Sequence, residues 1–264
     1  MAEFTAQDVK RLRDLTGAGM MDAKRALQES AGDFEAAKKW LREKGLAKSA
    51  ERSDRENVQG AIALARIDNA AALVQLKSET DFVAKNSDFV NTANDLAELV
   101  AKQGEAAAGQ KSDAIDDLKV LLKENIELGK VARIEAKDGQ VLDTYLHTQD
   151  GRGVNGVIVL VEGGTPELAH DIAVHIAFAK PQYLTRDEIP ESVIEDERKT
   201  FENMARNTGK PEAALAKIAE GMLNGWIQER TLVEQKFAKD EKQTVGYVVG
   251  DARIVEFAQL LLGA

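Results

Sequence analysis

Cysteine is absent from the 264 residues. Its absence excludes disulfides, thiolate zinc sites, iron–sulfur clusters and a cysteine nucleophile, and it suits a reducing compartment. Long hydrophobic runs are missing too. The longest aliphatic stretch, Val157 to Val161, falls far short of the roughly 20 residues that span a bilayer. Met1 to Gln7 holds neither an apolar signal core nor an arginine-rich transit pattern, so the chain is expected to be cytoplasmic, with no membrane partner. Nor is there a surplus of positive charge. Lys and Arg number 35 against 45 Asp and Glu, a net charge of −10. Phosphate binding runs on Lys and Arg, so no direct nucleic-acid partner is expected. The acid is uneven, however: residues 1–56 carry 12 basic and 11 acidic side chains, a net +1 against −11 for the remainder. A local basic face in the N-terminal segment is compatible with that split.

Signs of chemistry are equally scarce. Gly151-Arg152-Gly153-Val154-Asn155-Gly156 matches G-x-G-x-x-G letter for letter. A dinucleotide site needs that run after a strand and at the start of a helix, where backbone N–H groups meet the pyrophosphate. Here it precedes the strand-like run at 157, so it is read as a loop and no cofactor is expected. The three histidines are His147, His170 and His175. The last two are five apart, a spacing that does not stack two imidazoles on one helix face, and no H-E-x-x-H is present. Metal is therefore not expected, and surface or partner-facing histidines are. No G-x-S-x-G nucleophile elbow occurs. The chain does not read as an enzyme.

What is present is a sequence of distinct patterns. Thr5 is a candidate N-cap for a helix carrying Val9, Leu12 and Leu15, broken by Gly17-Ala18-Gly19. A second helix carries Ala23, Ala26 and Leu27, and a third, capped by Asp33, carries Ala36, Ala37, Trp40 and Leu41 and stops at Gly45. Residues 1–47 are thus a three-helix bundle, and the charged stretch 48–58 a linker. From Gly60 the period changes to that of strands, with a hairpin at Asp68-Asn69. Helices are expected over 87–104 and 113–128. Strands follow over Val131 to Ala136, turning at Asp138-Gly139 into Val141 to His147, then over Val157 to Val161, and Leu168 to Ala179 is helical. The order strand, hairpin, strand, Thr-containing turn, helix occurs in 60–101 and again in 131–179, with Leu73-Val74-Gln75-Leu76 and Val157-Ile158-Val159-Leu160 in equivalent places. The fold class is therefore α+β: the bundle, a core subdomain over 59–130, and a related one over 131–190 and 230–264. Residues 191–229, divided by Gly209-Lys210-Pro211, form an antiparallel helical hairpin inserted in the second.

Two stretches stand out. Leu12-Arg13-Asp14-Leu15-Thr16-Gly17-Ala18-Gly19-Met20-Met21-Asp22-Ala23-Lys24-Arg25-Ala26-Leu27 places adjacent methionines in a Gly-rich turn. Both cannot point into a small core, and soft unbranched side chains suit a partner surface; equally, Met20 can plug the bundle while Met21 is tolerated outside. Glu79-Thr80-Asp81-Phe82-Val83-Ala84-Lys85-Asn86 follows a strand directly and sets a bulky ring beside a carboxylate. On residue chemistry alone the favoured reading has Thr80 or Asp81 as an N-cap and Phe82 in the core.

Together these stretches resemble the N-terminal signature and the T-D-F-V signature of the elongation factor Ts family. Ala-His-Asp-Ile-Ala-Val-His-Ile-Ala at 169–177 with Lys180-Pro181, and Gly209-Lys210-Pro211 with Glu220-Gly221, resemble the family's second core subdomain and hairpin insertion. The resemblance runs in order from residue 2 to about 249. Ala23, Gln75-Leu76-Lys77, Gln235-Lys236-Phe237 and the terminal Arg253 to Ala264 depart from the family's usual residues. The resemblance implies guanine nucleotide exchange on GDP-bound elongation factor Tu, with no chemistry by this chain. Carried over, Asp81 and Phe82, flanked by Thr80 and Val83, would intrude near the partner's Mg²⁺ and nucleotide. Arg13, Met20, Met21 and Lys24 would grip its GTPase domain, and His175 would be a lesser contact from the second subdomain. Self-association through the helical hairpin stays open. The rival is a non-exchanging adaptor that binds through the bundle, which resembles ubiquitin-associated (UBA-like) three-helix modules.

Overall fold

Thr5 sets the start of the first helix. Its hydroxyl accepts from the Asp8 amide at 3.2 Å, and the Asp8 carboxylate accepts from the Thr5 amide at 2.8 Å, a reciprocal cap on helix α1 (Ala6–Thr16). Gly17, at φ +64°, turns the chain into α2 (Met20–Glu29), and Asp33 caps α3 (Phe34–Ala50). Val9, Leu12, Ala23, Ala26, Leu27, Ala37 and Leu41 close the bundle core. This computed structural model describes residues 4–207 and 209–263; Met1, on which the expected lack of a leader partly rests, lies outside them.

Gly45 does not stop α3, which runs on to Ala50. The helix packs on a later one, and a Cβ at residue 45 would come within 2.5 Å of Val120 Cγ1. The glycine is there for close approach. The expected linker is correspondingly shorter, a run of turns after α3 whose Arg52 donates to the Lys123 carbonyl at 2.8 Å.

The rest of the chain runs β1 (Gln59–Ile67), β2 (Ala70–Ser78), α4 (Asp81–Ala84), α5 (Ser87–Gln103), α6 (Ser112–Leu122), β3 (Glu127–Glu135), β4 (Gln140–Gln149), β5 (Arg152–Glu162), α7 (Pro166–Ala179), α8 (Glu191–Arg206), α9 (Glu212–Arg230), β6 (Lys236–Phe237), β7 (Asp240–Thr244), α10 (Val245–Val249) and β8 (Arg253–Leu261). Two three-stranded antiparallel sheets result, ordered β1-β2-β3 and β4-β5-β8. Among the described residues no helix is long and apolar enough to cross a membrane.

Alternation along the strands explains the layering. Ala61, Ala63, Ala65, Ala72, Val74 and Leu76 face α5 and α6, whereas Ile62, Ala71 and Leu73 face Leu142, Ile158 and Leu160 of the second sheet. Val157, Val159 and Val161 point the other way, onto α7 and the C-terminal segment. The layers are helix, sheet, sheet, helix. The central strands β2 and β5 are covered on both faces, which is why they read as continuous apolar runs.

Several expectations need correction. Asp138-Gly139 does not join a hairpin: β3 pairs with β2 and β4 with β5, so the division drawn at 130/131 cuts through a strand of the first sheet. The repeat therefore aligns β1-β2-α5 with β4-β5-α7, and Thr80 and Thr165 each cap the helix that follows. The helix expected to 128 ends at Leu122, because Lys123 adopts φ +61° and Ile126 is fully buried in the first core. The G-x-G-x-x-G run is not a loop beyond its first residue: Gly151 lies in the turn, and Arg152 to Gly156 are in strand β5. A Cβ at Gly153 would meet the Ile62 carbonyl, and one at Gly156 would meet Leu73, so these glycines let the two sheets approach. The hairpin α8–α9 is anchored at its base, where Ile189, Leu223 and Ile227 pack with Tyr183 and Trp226.

Candidate functional site

β2 ends at the buried Ser78, whose hydroxyl donates to the Thr80 carbonyl at 3.0 Å. The chain then makes one helical turn. Thr80 caps it, its hydroxyl accepting from the Val83 amide at 3.4 Å. A single turn cannot hold itself, since helix nucleation is unfavourable, so side chains around it supply the fixity. Ala84 is fully buried and Val83 packs on the first core, which turns Phe82 outward at 83% exposed. The reading that residue chemistry alone favours, Phe82 in the core, is overturned: the buried face of this turn is only wide enough for Val83 and Ala84.

The base of the tip is a polar clasp. Glu124 accepts from the Glu79 amide (3.1 Å), the Thr80 amide (3.1 Å) and the Thr80 hydroxyl (2.6 Å). Glu79 in turn accepts from the Asn125 amide at 2.6 Å and pairs with Arg55 at 3.4 Å. The Asn125 carboxamide donates to the Ser53 and Arg55 carbonyls, at 3.1 and 2.8 Å. The clasp therefore ties the tip to the segment that leaves the bundle. Beside Phe82, Lys85 reaches Asp81 at 2.8 Å and Asp150 at 3.1 Å. The hydrogen bond from Lys85, with the charges of Lys85 and Arg152, holds the Asp81 carboxyl below its ordinary value, and the two carboxylates push Lys85 up. Sequence reasoning missed Glu124 and Asn125 because it drew them into a helix. Lys85 was visible in the motif, but its partner Asp150 lies far along the chain.

On the bundle, Met20 and Met21 are 45% and 74% exposed, with Leu15 also outside. The alternative in which Met20 plugs the bundle is thus excluded, since Leu12 and Leu27 already fill that space. Lys24 is exposed, and the half-buried Arg13 is paired with Asp14 at 2.5 Å. Beside them a cleft of about 740 Å³ opens between α3 and α6, lined by Leu15, Asp22, Arg42, Lys48, Val120 and Leu121.

His175 is corrected from a partner-facing residue to a core one, only 1% exposed. Its Nδ1 accepts from the Ala238 amide at 3.1 Å, which puts the proton on Nε2, 2.9 Å from the Gln235 carboxamide oxygen. Burial pushes its pKa down, so the ring is neutral. Gln235, one of the residues that depart from the family's usual pattern, also donates to the Glu229 carbonyl at 2.6 Å. His170, exposed, pairs with Asp143 at 2.9 Å, and His147 is on the surface. Among the described residues no three His, Cys, Asp or Glu side chains are grouped to hold a metal.

A family model described as Elongation factor TS matches residues 79–264, beginning at the tip itself. Elongation factor Ts of Clavibacter michiganensis subsp. michiganensis is 43% identical over 278 aligned positions, covering 100% of both chains. That of Thermobifida fusca is 42% identical over 96% of this chain and 95% of its own, and that of Deinococcus deserti 38% identical over 98% and 99%.

Proposed function

The chain belongs to the elongation factor Ts family, and from that premise we propose that it promotes GDP release from elongation factor Tu in the cytoplasm, by insertion of the Thr80–Val83 tip near the partner's Mg²⁺ and nucleotide. The observation that carries this reading is a phenylalanine 83% exposed on a turn that is tied to other parts of the chain at both ends, by Glu124 at its entry and by the Lys85–Asp150 pair at its exit. Leaving it in water forgoes roughly 1.5–3 kcal/mol of burial, which becomes available on docking. In this reading Asp81 and Phe82 enter the partner's site, Thr80 and Val83 set their angle, and Arg13, Met20, Met21 and Lys24 hold the partner's GTPase domain. Residues 1–47 grip, the two subdomains carry the tip, and the insertion at 191–229 extends the second; no nucleic acid is contacted directly.

Magnitudes divide the labour. A nucleotide held at nanomolar affinity is bound by about 12 kcal/mol, and about 1.4 kcal/mol is tenfold. Burial of Phe82 alone would loosen it roughly ten- to a hundredfold. Faster release needs the partner's metal and phosphate loop to be displaced as well, and the wide interface has to supply that free energy. Linkage makes the effect mutual: nucleotide weakens this protein's grip by the same factor, and the factor recycles.

The test is release of a fluorescent GDP analogue from elongation factor Tu. Substoichiometric protein is expected to accelerate it strongly. Phe82→Ala should melt within about 2 °C of the wild type, since exposed positions stay within about 0.5 kcal/mol, still bind, and lose most of the acceleration. Undiminished acceleration by Phe82→Ala would sink the role of the tip. The exposed Met20 and Met21 favour one other reading, a non-exchanging adaptor working through the bundle. Tight binding by the wild type with no change in release would establish it.

A further inference from the structure

The end of the β4–β5 hairpin belongs to the second sheet, yet its side chains reach the first. Asp150 and Gly151 form its two-residue turn, both at positive φ (52° and 79°), the backbone of a tight primed turn. From that turn Asp150 meets Lys85 at 3.1 Å, immediately after α4. Two residues on, the Arg152 guanidinium donates to the Gly60 carbonyl and, at 3.3 Å, to the Gln59 side chain at the start of β1. The hairpin end is thus fastened at one point to the first sheet and at another to the tip.

That second point matters mechanically. The Glu124 clasp holds only the entry to α4, through Glu79 and Thr80. Val83 and Ala84 seat the turn on the first core. At the exit, Lys85 is the one residue whose side chain makes a polar tie from the turn to another part of the chain among the described contacts, while also holding Asp81 at 2.8 Å. Without that tie, the entry clasp and two small apolar side chains leave a single turn some freedom to roll about its axis, over which the direction of Phe82 would spread. We propose that Lys85 and Asp150 are positioning residues: the ion pair from the β4–β5 turn fixes the roll of α4, so that the second subdomain sets where Phe82 and Asp81 point. The inference rests on the reading that Phe82 drives nucleotide release.

An exposed ion pair contributes a modest amount, so the expected effects are modest but measurable. In GDP-analogue release at varied exchange-factor concentration, Asp150→Ala should lower the maximal rate about two- to fivefold and Lys85→Ala about three- to tenfold. The half-saturating concentration should move less than about twofold, because the bundle contacts are untouched. Lys85→Arg should restore most of the rate. The double variant should be no slower than Lys85→Ala within about twofold, the non-additivity of a contacting pair. Both alanine variants should also speed amide exchange at Ala84 and Lys85, whose N–H groups bond the Thr80 and Asp81 carbonyls at 3.2 and 3.1 Å. Full activity and unchanged amide protection in Asp150→Ala would overturn the proposal. So would double-variant losses that multiply, which would mean that Lys85 touches the partner directly. If protection falls as expected while Phe82→Ala releases GDP normally, it is the role of Phe82 that fails, and the positioning contact stands.

Discussion

His175 shows how one buried contact reverses a residue's meaning. As a letter in a helix it looks available to a partner; in the fold it sits beside Phe237 with ring centroids 5.8 Å apart, and both nitrogens are engaged. Because burial lowers its folded pKa, the unfolded chain takes up this proton first as pH falls. Stability from this group is therefore fully present above the unfolded value of about 6.5 and is lost as pH drops through and below it. Urea unfolding between pH 7.5 and 5.5 should show a decline that is smaller in His175→Asn; an equal decline in that variant would assign the effect to other groups. Phe82 is the reverse case. A ring that residue chemistry alone places inside is outside, because Ala84 and Val83 take the inward positions of a turn with no room for a third.

Elements end where tertiary contacts end them. α3 continues through Gly45 because the glycine lets it lie against Val120 of α6, although glycine costs a helix interior about 1 kcal/mol relative to alanine. Gly45→Ala should therefore lose roughly 1–2 kcal/mol in denaturant unfolding, overpacking outweighing the gain in propensity. Val120→Ala in the same chain should recover part of that loss beyond additivity; strictly additive effects would mean that the contact is not the reason for the glycine. α6 stops early for the opposite reason. Its helical pattern continues in sequence to Ile126, but Lys123 turns left-handed, which sends Ile126 into the core and leaves Glu124 beneath the tip. The helix boundary and the clasp are one event.

At the scale of the whole molecule, the tip is joined to the segment that leaves the bundle through the Arg55, Glu79 and Asn125 contacts. If the bundle supplies affinity and the tip supplies release, the two are separable. Met20→Ala with Met21→Ala should weaken binding to elongation factor Tu about tenfold, as expected of truncated apolar anchors, with melting unchanged; equal affinity would remove the methionines from the interface. By itself the sequence carried legible signs of the three N-terminal helices, most of the helices and strands between residues 59 and 179, and the helical pair after 190, because each rests on local periodicity, capping and turn chemistry. It placed Leu15 among the bundle's apolar positions, where the structure has it exposed, and it left the elements after 231 undivided. It did not reveal that β3 joins the first sheet, that Gly153 and Gly156 are strand positions between two packed sheets, that His175 is buried, or that Lys85 meets Asp150. Those outcomes depend on which faces meet across long stretches of chain. Pairing and close approach are decided by the packing of layers, a cost and gain that no window of neighbouring residues contains.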